Sequence, residues 1–197
     1  MVIALDIETK NLSTEIGGWG NTHMFLVSTV ATWDGTIGKI YVEKEIIDKI
    51  IAKSNVQVLP LRQLKYDLDD LHKAGVKLLG HNIVAFDLPV LRDSMDIYCI
   101  RKFLNDMQYI DTSKELTKQY GERFKLQNLV DNTLGESKSL DSAMAPVLWK
   151  AGDYQVVVDY CLKDCKLVYD LYKHGLDKKL KAFSIEKEEF IELKMEW

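Results

Sequence analysis

Hydrophobic and polar positions alternate from the first residues of the chain. Ile3, Leu5 and Ile7 fall on one side of an extended segment, Ala4, Asp6 and Glu8 on the other. Such period-two alternation predicts a half-buried strand over 2–8. The glycine-rich stretch NLSTEIGGWGNTH then connects to MFLVSTVATW, a β-branched run that reads as a second strand. Asp34–Gly35 is a hairpin turn signal, and TIGKIYVE is the return strand. The chain therefore opens as a three-stranded antiparallel meander.

The period then changes. Residues 44–53 have helical character, and Pro60 breaks the chain. Leu61, Leu64, Leu68 and Leu71 recur at helical spacing up to a stop at Gly75. VKLLGHN is a short buried strand. DLPVLRDSM starts a helix, with Asp87 as its expected N-cap and Pro89 in the first turn. A further helix is expected over 97–107. QYIDT is a short strand ending at Asp111, which caps the helix SKELTKQYG; KLQNLVDNTLG is helical, and 137–145 is loop-like. The longest helix is expected over 153–173, with Val156, Val157, Tyr160, Leu167, Val168 and Leu171 on its apolar face. The final residues alternate again and predict a terminal β-hairpin. Strands first, then alternating helices and strands, imply an α/β sheet of mixed direction covered by helices. No linker or repeat divides the chain, so 177–197 is taken as a hairpin appendage of the domain formed by 1–176.

Composition narrows the class. At 197 residues and 47% hydrophobic, one domain can bury a sizeable core. The net charge of −4 argues against a broad non-specific nucleic-acid surface. It does not argue against a nucleic-acid enzyme, because bound cations supply positive charge locally. Cys99, Cys161 and Cys165 form no paired framework, which suggests a reducing, intracellular setting. No stretch approaches the ~18 apolar residues of a membrane span, and no basic segment precedes the first apolar run. A cytoplasmic or nucleoid-associated protein is expected.

Asp6 and Glu8, two apart on a strand, share one face with Cα atoms roughly 6.5 Å apart. Two carboxylates on a partly buried face repel and are costly to desolvate. A divalent cation such as Mg²⁺ removes that penalty, and two cations ~4 Å apart serve an in-line phosphoryl displacement. Taken alone, the Asp6–Glu8 pair is better explained as the wet face of an amphipathic strand. Asp87, similarly, is an ordinary N-cap. Tyr160 and Asp164, four apart and so on one helix face, are an aromatic at a core edge and a solvated acid.

The ordered set says more. LDIET, HNIVAFDLPVL and YCLKD resemble the three exonuclease motifs of the DEDD superfamily in its DEDDy branch, D-x-E, N-x₄-D and Y-x₃-D. The wording is closest to the proofreading domain of family-B DNA polymerases, and FKLQNLVDNTLGESK resembles the segment before the third motif. The resemblance runs from Val2 to about Leu171. It implies an RNase H-like three-layer fold with a mixed five-stranded sheet, three antiparallel strands and then two parallel. It also implies a two-metal, Mg²⁺- or Mn²⁺-dependent 3′–5′ exonuclease acting on single-stranded 3′ ends, DNA in preference, and releasing nucleoside 5′-monophosphates.

In that family's terms Asp6 bridges both cations. Glu8 and Asp164 help hold the one that activates water, Asp87 helps place the other through water, and Tyr160 orients the attacking water. Asn82 matches the motif asparagine and would position the strand or the active-site waters. Thr9, Phe86, Lys125 and Lys163 complete the expected nucleic-acid contacts, with Lys166, Tyr120 and Trp149 as weaker candidates. The histidine branch of the superfamily is excluded, because Asp159 stands five residues before Asp164, and His81 is expected to be structural.

Two departures matter. No polymerase palm or fingers fit in about 200 residues, so a stand-alone nuclease or an excised domain is implied; the methionine directly before the first strand favours a complete short protein. The terminal hairpin lies outside the motif region and could cover a sheet edge, dimerise or bind a replication or repair partner. The alternatives are a catalytically silent module that holds nucleic acid or a replication partner, and an exonuclease for RNA or short oligonucleotides.

Overall fold

Gly38–Val42, the return strand of the opening meander, has a neighbour that the sequence pattern does not announce. The structure, a computed structural model, describes residues 1–137 and 142–197. In chain order it contains β1 (Val2–Thr9), β2 (Val27–Trp33), β3 (Gly38–Val42), β4 (Val56–Pro60), α1 (Leu64–Lys73), β5 (Lys77–Gly80), α2 (Asp87–Ser94) and α3 (Cys99–Asn105). There follow β6 (Tyr109–Asp111), α4 (Thr112–Tyr120), α5 (Leu126–Leu134), α6 (Ala145–Ala151), α7 (Tyr154–Asp177), β7 (Leu180–Ser184) and β8 (Glu189–Leu193). Among the described residues the main sheet has six strands in the order β4-β3-β2-β1-β5-β6.

β1, β2 and β3 are antiparallel neighbours, and β5 and β6 run parallel to β1, as expected. The expected five strands are corrected to six by β4, which pairs parallel to β3 from Gly38↔Val56 to Val42↔Pro60. Its pattern is short and does not alternate, with Val56, Val58 and Leu59 around a single polar residue, Gln57. Pro60 ends it on the sheet edge, where a missing N–H does no harm. The helical character of 44–53 shortens to a 3-10 segment over Lys44–Lys49 that links β3 to β4. α6 was also not anticipated, although Pro146 near its start and Gly152 (φ 90°) just past its end are the usual boundary signals. Residues 138–141 of the loop expected over 137–145 lie outside the described residues, and Ser142–Met144 form one 3-10 turn.

Both faces of the sheet are covered, and alternation along β1 sorts the two cores. Leu5 and Ile7 join Leu64, Leu68, Leu88 and Ile100 from α1, α2 and α3. Ala4 joins Leu129, Val157, Cys161 and Cys165 from α5 and α7 on the other face. Val156, expected on the apolar face of α7, is instead half exposed. The β7–β8 hairpin contributes Leu180, Ala182, Leu193 and Met195 to the α7-side core. Its β7 edge is sewn to α5. Asn128 donates to Phe183 O (2.7 Å) and accepts from Phe183 N (2.9 Å), and Thr133 does the same with Lys181 at 3.0 and 2.8 Å. A strand edge that would otherwise invite pairing is thus occupied by side chains.

Candidate functional site

The site begins where β5 leaves β1. The two pair in parallel only as far as Ala4↔Leu79. At Gly80 a Cβ would lie 2.0 Å from Ile83 Cγ2 and 3.1 Å from Leu5 O, so glycine lets the chain turn tightly beside β1. Beyond that point one edge of β1 is open. Ile7, between Asp6 and Glu8, donates its N–H across the gap to Asp87 Oδ1 at 3.1 Å. The capping role expected of Asp87 is therefore not made. Asp87 is the first residue of α2, one past the N-cap position held by Phe86, and its carboxylate turns to β1. On the other edge the β1–β2 register shifts after Glu8, a bulge that re-aims the end of β1.

The turn carrying Asn82 to Phe86 is held by Asp111. Its Oδ1 accepts from Asn82 N (2.8 Å), Ser113 N (3.1 Å) and Lys114 N (3.2 Å), and its Oδ2 from Val84 N (3.0 Å). One buried carboxylate thus caps α4, as expected, and also fixes the segment leading to Asp87. Asn82 adopts φ 72°, a left-handed conformation asparagine tolerates better than most residues. His81 faces the Phe124 carbonyl with Nε2 at 3.0 Å, so Nε2 donates, and its Nδ1 lies 2.8 Å from Thr112 Oγ1. These contacts fix the ring, and His81, expected to be structural, also lines the pocket that holds Asp6 and Asp87.

α7 supplies the opposite wall. Small residues, Ala4 and Ala31 on the sheet and Cys161 and Cys165 on the helix, are all fully buried and allow close approach. The thiols donate to backbone carbonyls, Cys161 to Asp6 O (3.4 Å) and Cys165 to Ala31 O (3.2 Å). Burial, then the Asp6 charge, pushes both thiols far above their ordinary values, so they remain neutral donors. Tyr160 and Asp164 flank this seam, and both are buried. Asp159 turns elsewhere, accepting from Gln155 (3.1 Å) and pairing with Lys53 (3.7 Å).

One cleft of about 870 Å³ is lined by Asp6, Glu8, Thr9, Asn82, Phe86, Asp87, Tyr160 and Asp164 together. The electrostatics record their proximity. Burial raises the Tyr160 phenol far above its ordinary value, and the charges of Asp164, Glu8 and Asp6 raise it further. Burial likewise pushes Asp87 up to about 7; the N–H groups of Asp87 itself and Ile7 oppose this, and the charges of Asp111 and Asp164 reinforce it. Unscreened carboxylates hold one another apart. Among the described residues no group of three or more His, Cys, Asp or Glu is gathered tightly enough to hold an ion as it stands. The donor set is nonetheless all carboxylate oxygen beside a phenol, the chemistry that hard cations prefer.

Other expected residues lie outside the cleft lining. Lys125 is exposed at the start of α5, and Lys163 donates to Ser137 O at 2.6 Å. Lys166 sits over the Trp33 ring, 4.3 Å from its centroid. The Tyr120 hydroxyl donates to Lys194 O and accepts from Lys194 N, and buried Trp149 packs on Tyr154. The sequence reading missed Trp19 and Arg123, which do line the cleft. Trp19 is 66% exposed and meets Phe86 edge-on at 5.2 Å; Phe86 in turn rests on buried Phe25 at 5.1 Å. Its signal was a lone tryptophan in the glycine-rich connection. For Arg123 it was the alternation of 122–125, in which buried Glu122 and Phe124 leave Arg123 and Lys125 outward.

Neither a scan of protein-family models nor a search of curated proteins finds a match to the chain. Among the described residues no helix is long and apolar enough to cross a membrane.

Proposed function

We propose that the protein is a metal-dependent 3′–5′ exonuclease of the DEDDy type with an RNase H-like fold, hydrolysing single-stranded nucleic acid, DNA in preference, to nucleoside 5′-monophosphates. The observation that carries this reading is the single cleft that receives Asp6, Glu8, Asp87, Tyr160 and Asp164 from three distant segments. Solvated or capping acids, the plain explanation of each alone, have no reason to meet there.

The four carboxylates Asp6, Glu8, Asp87 and Asp164 would hold two divalent cations, Mg²⁺ or Mn²⁺. When bound, these supply charge neutralisation at the phosphate and a water of lowered pKa. The protein's own groups do the rest. The Ile7 N–H fixes the Asp87 carboxylate against β1. Tyr160, raised well above its ordinary value, keeps its proton throughout the physiological range and so orients the attacking water rather than deprotonating it. Phe86 and Trp19 line the cleft and would meet a terminal base with aromatic surface, a contact that tolerates any sequence.

The test is degradation of 3′-labelled and 5′-labelled single strands of DNA and matched RNA with Mg²⁺ or Mn²⁺. Stepwise shortening from the 3′ end with release of nucleoside 5′-monophosphates is expected, abolished in Asp6→Ala and Asp164→Ala. A folded protein that degrades neither polymer under either metal refutes the reading.

A further inference from the structure

The overall negative charge makes any gathering of cations informative, and one adjoins the acidic cleft. A second pocket, of about 410 Å³, shares Asn82, Ala85 and Arg123 with the cleft, so the two adjoin across those residues. Its outer lining includes Lys114, Thr117 and Lys118 of α4. Lys114 and Lys118 are four apart, hence on one helix face and ~6 Å apart along the axis. Both are exposed, as is Arg123. Lys114 reaches across to the Tyr109 hydroxyl at 2.9 Å, with its ammonium 5.1 Å from that ring's centroid, which leaves two N–H donors to turn outward. The pocket's one lining acid, Asp111, accepts four backbone N–H groups; its charge and that of Glu115 on α4 still act on Lys114. Three cations therefore face solvent there, and Arg123 also borders the acidic cleft.

We infer that this second pocket is the track for the strand upstream of the scissile bond, with Arg123, Lys118 and Lys114 taking successive backbone phosphates of a single-stranded polynucleotide. The inference rests on the nuclease reading and extends it. It divides the work by charge. The acidic cleft accepts a phosphate only with cations, whereas the track attracts phosphates unaided. A substrate with several upstream phosphates is therefore held by the track, and a dinucleotide is not.

The experiment compares a dinucleotide with a single strand of roughly ten nucleotides, using the full chain and its Lys114→Ala/Lys118→Ala variant across a salt series. Both substitutions are to a strong helix former on an exposed face, so α4 is retained. For the long strand KM is expected to rise about tenfold near physiological salt, with kcat unchanged. The slope of log KM against log salt should fall by about 1.4, as for two lost contacts to a single strand. Dinucleotide kinetics should not move, and Lys114→Arg/Lys118→Arg should restore the wild-type values. Equal KM and slope for variant and wild type on the long strand overturn the track while leaving the nuclease standing. A parallel loss on the dinucleotide also overturns it, since the lysines would then act on the site itself. Absence of cleavage of either substrate by wild type removes the nuclease reading and the track with it.

Discussion

Asp111 is the most exacting point at which to test this architecture. Its carboxylate is 2% exposed and accepts four backbone N–H groups at 2.8–3.2 Å, two from α4 and two from the turn at Asn82–Val84. Asp111→Ala removes a helix cap, worth ~1 kcal/mol. It also strands the amides of Asn82 and Val84, which water reaches only in part, at ~1 kcal/mol or more each. A total loss of ~3 kcal/mol is expected. In Asp111→Asn one oxygen remains. Placed as Oδ1, it keeps the bonds to Asn82, Ser113 and Lys114, while the amide nitrogen confronts the Val84 N–H. The expected loss is then ~1–2 kcal/mol. Urea denaturation at pH 7 measures both values. Exonuclease assays well below each midpoint should show activity falling with them, because the Asn82–Phe86 segment sets the position of Asp87. The reasoning is refuted if Asp111→Ala loses under 1 kcal/mol, or if it loses stability but keeps full kcat at a temperature where it is folded.

Three further outcomes follow from the site. In EDTA, the folded-state value of Asp87 near 7 lies above its unfolded value near 4. Its protonated form therefore stabilises the fold fully below pH 4, and that contribution is lost as pH rises through 7. Asp87→Asn should raise the metal-free melting temperature at pH 8, by up to ~4 kcal/mol in stability, and leave it nearly unchanged at pH 4; equal shifts at both would sink this. Tyr160→Phe is expected to lower kcat by about tenfold to a hundredfold without abolishing it and without moving the alkaline limb of the pH–rate profile. A displaced limb would mean that the phenol titrates during turnover. Trp19→Ala, which removes a largely exposed ring, should raise KM on single strands severalfold with little change in melting temperature; loss of stability instead would assign Trp19 to packing.

Much of this arrangement could be read from residue order, and the parts that could not share a physical reason. Alternation in 2–8 and helical spacing along 153–173 reveal local geometry because each strand or helix presents its own periodic face. The order of the acids supplied the candidate site by resemblance, and the structure places Asp6, Glu8, Asp87 and Asp164 on one cleft. What escaped depends on contacts between distant segments. β4 is a strand only because β3 offers it an edge, and its two valines carry little signal alone. Asp87 looked like a cap because local sequence cannot show that Ile7, eighty residues earlier, presents an open N–H. The cap at Asp111 was legible, but its hold on Asn82 and Val84 was not. Lys125 and Lys163 were named and Arg123 was missed because nothing local distinguishes one outward cation from another.

The thiol seam between α7 and the sheet makes the helix a ruler. Cys161 and Cys165 anchor it to the backbone at Asp6 and Ala31, and an α-helix turns about 100° per residue. One residue inserted between Cys161 and Asp164 would keep one anchor and swing either the phenol or the carboxylate out of the cleft. One residue inserted after Asp177 would leave the spacing of Tyr160 and Asp164 from β1 untouched. Length variation in this chain is therefore expected to accumulate in loops and past the end of α7, while the five residues from 160 to 164 keep their count.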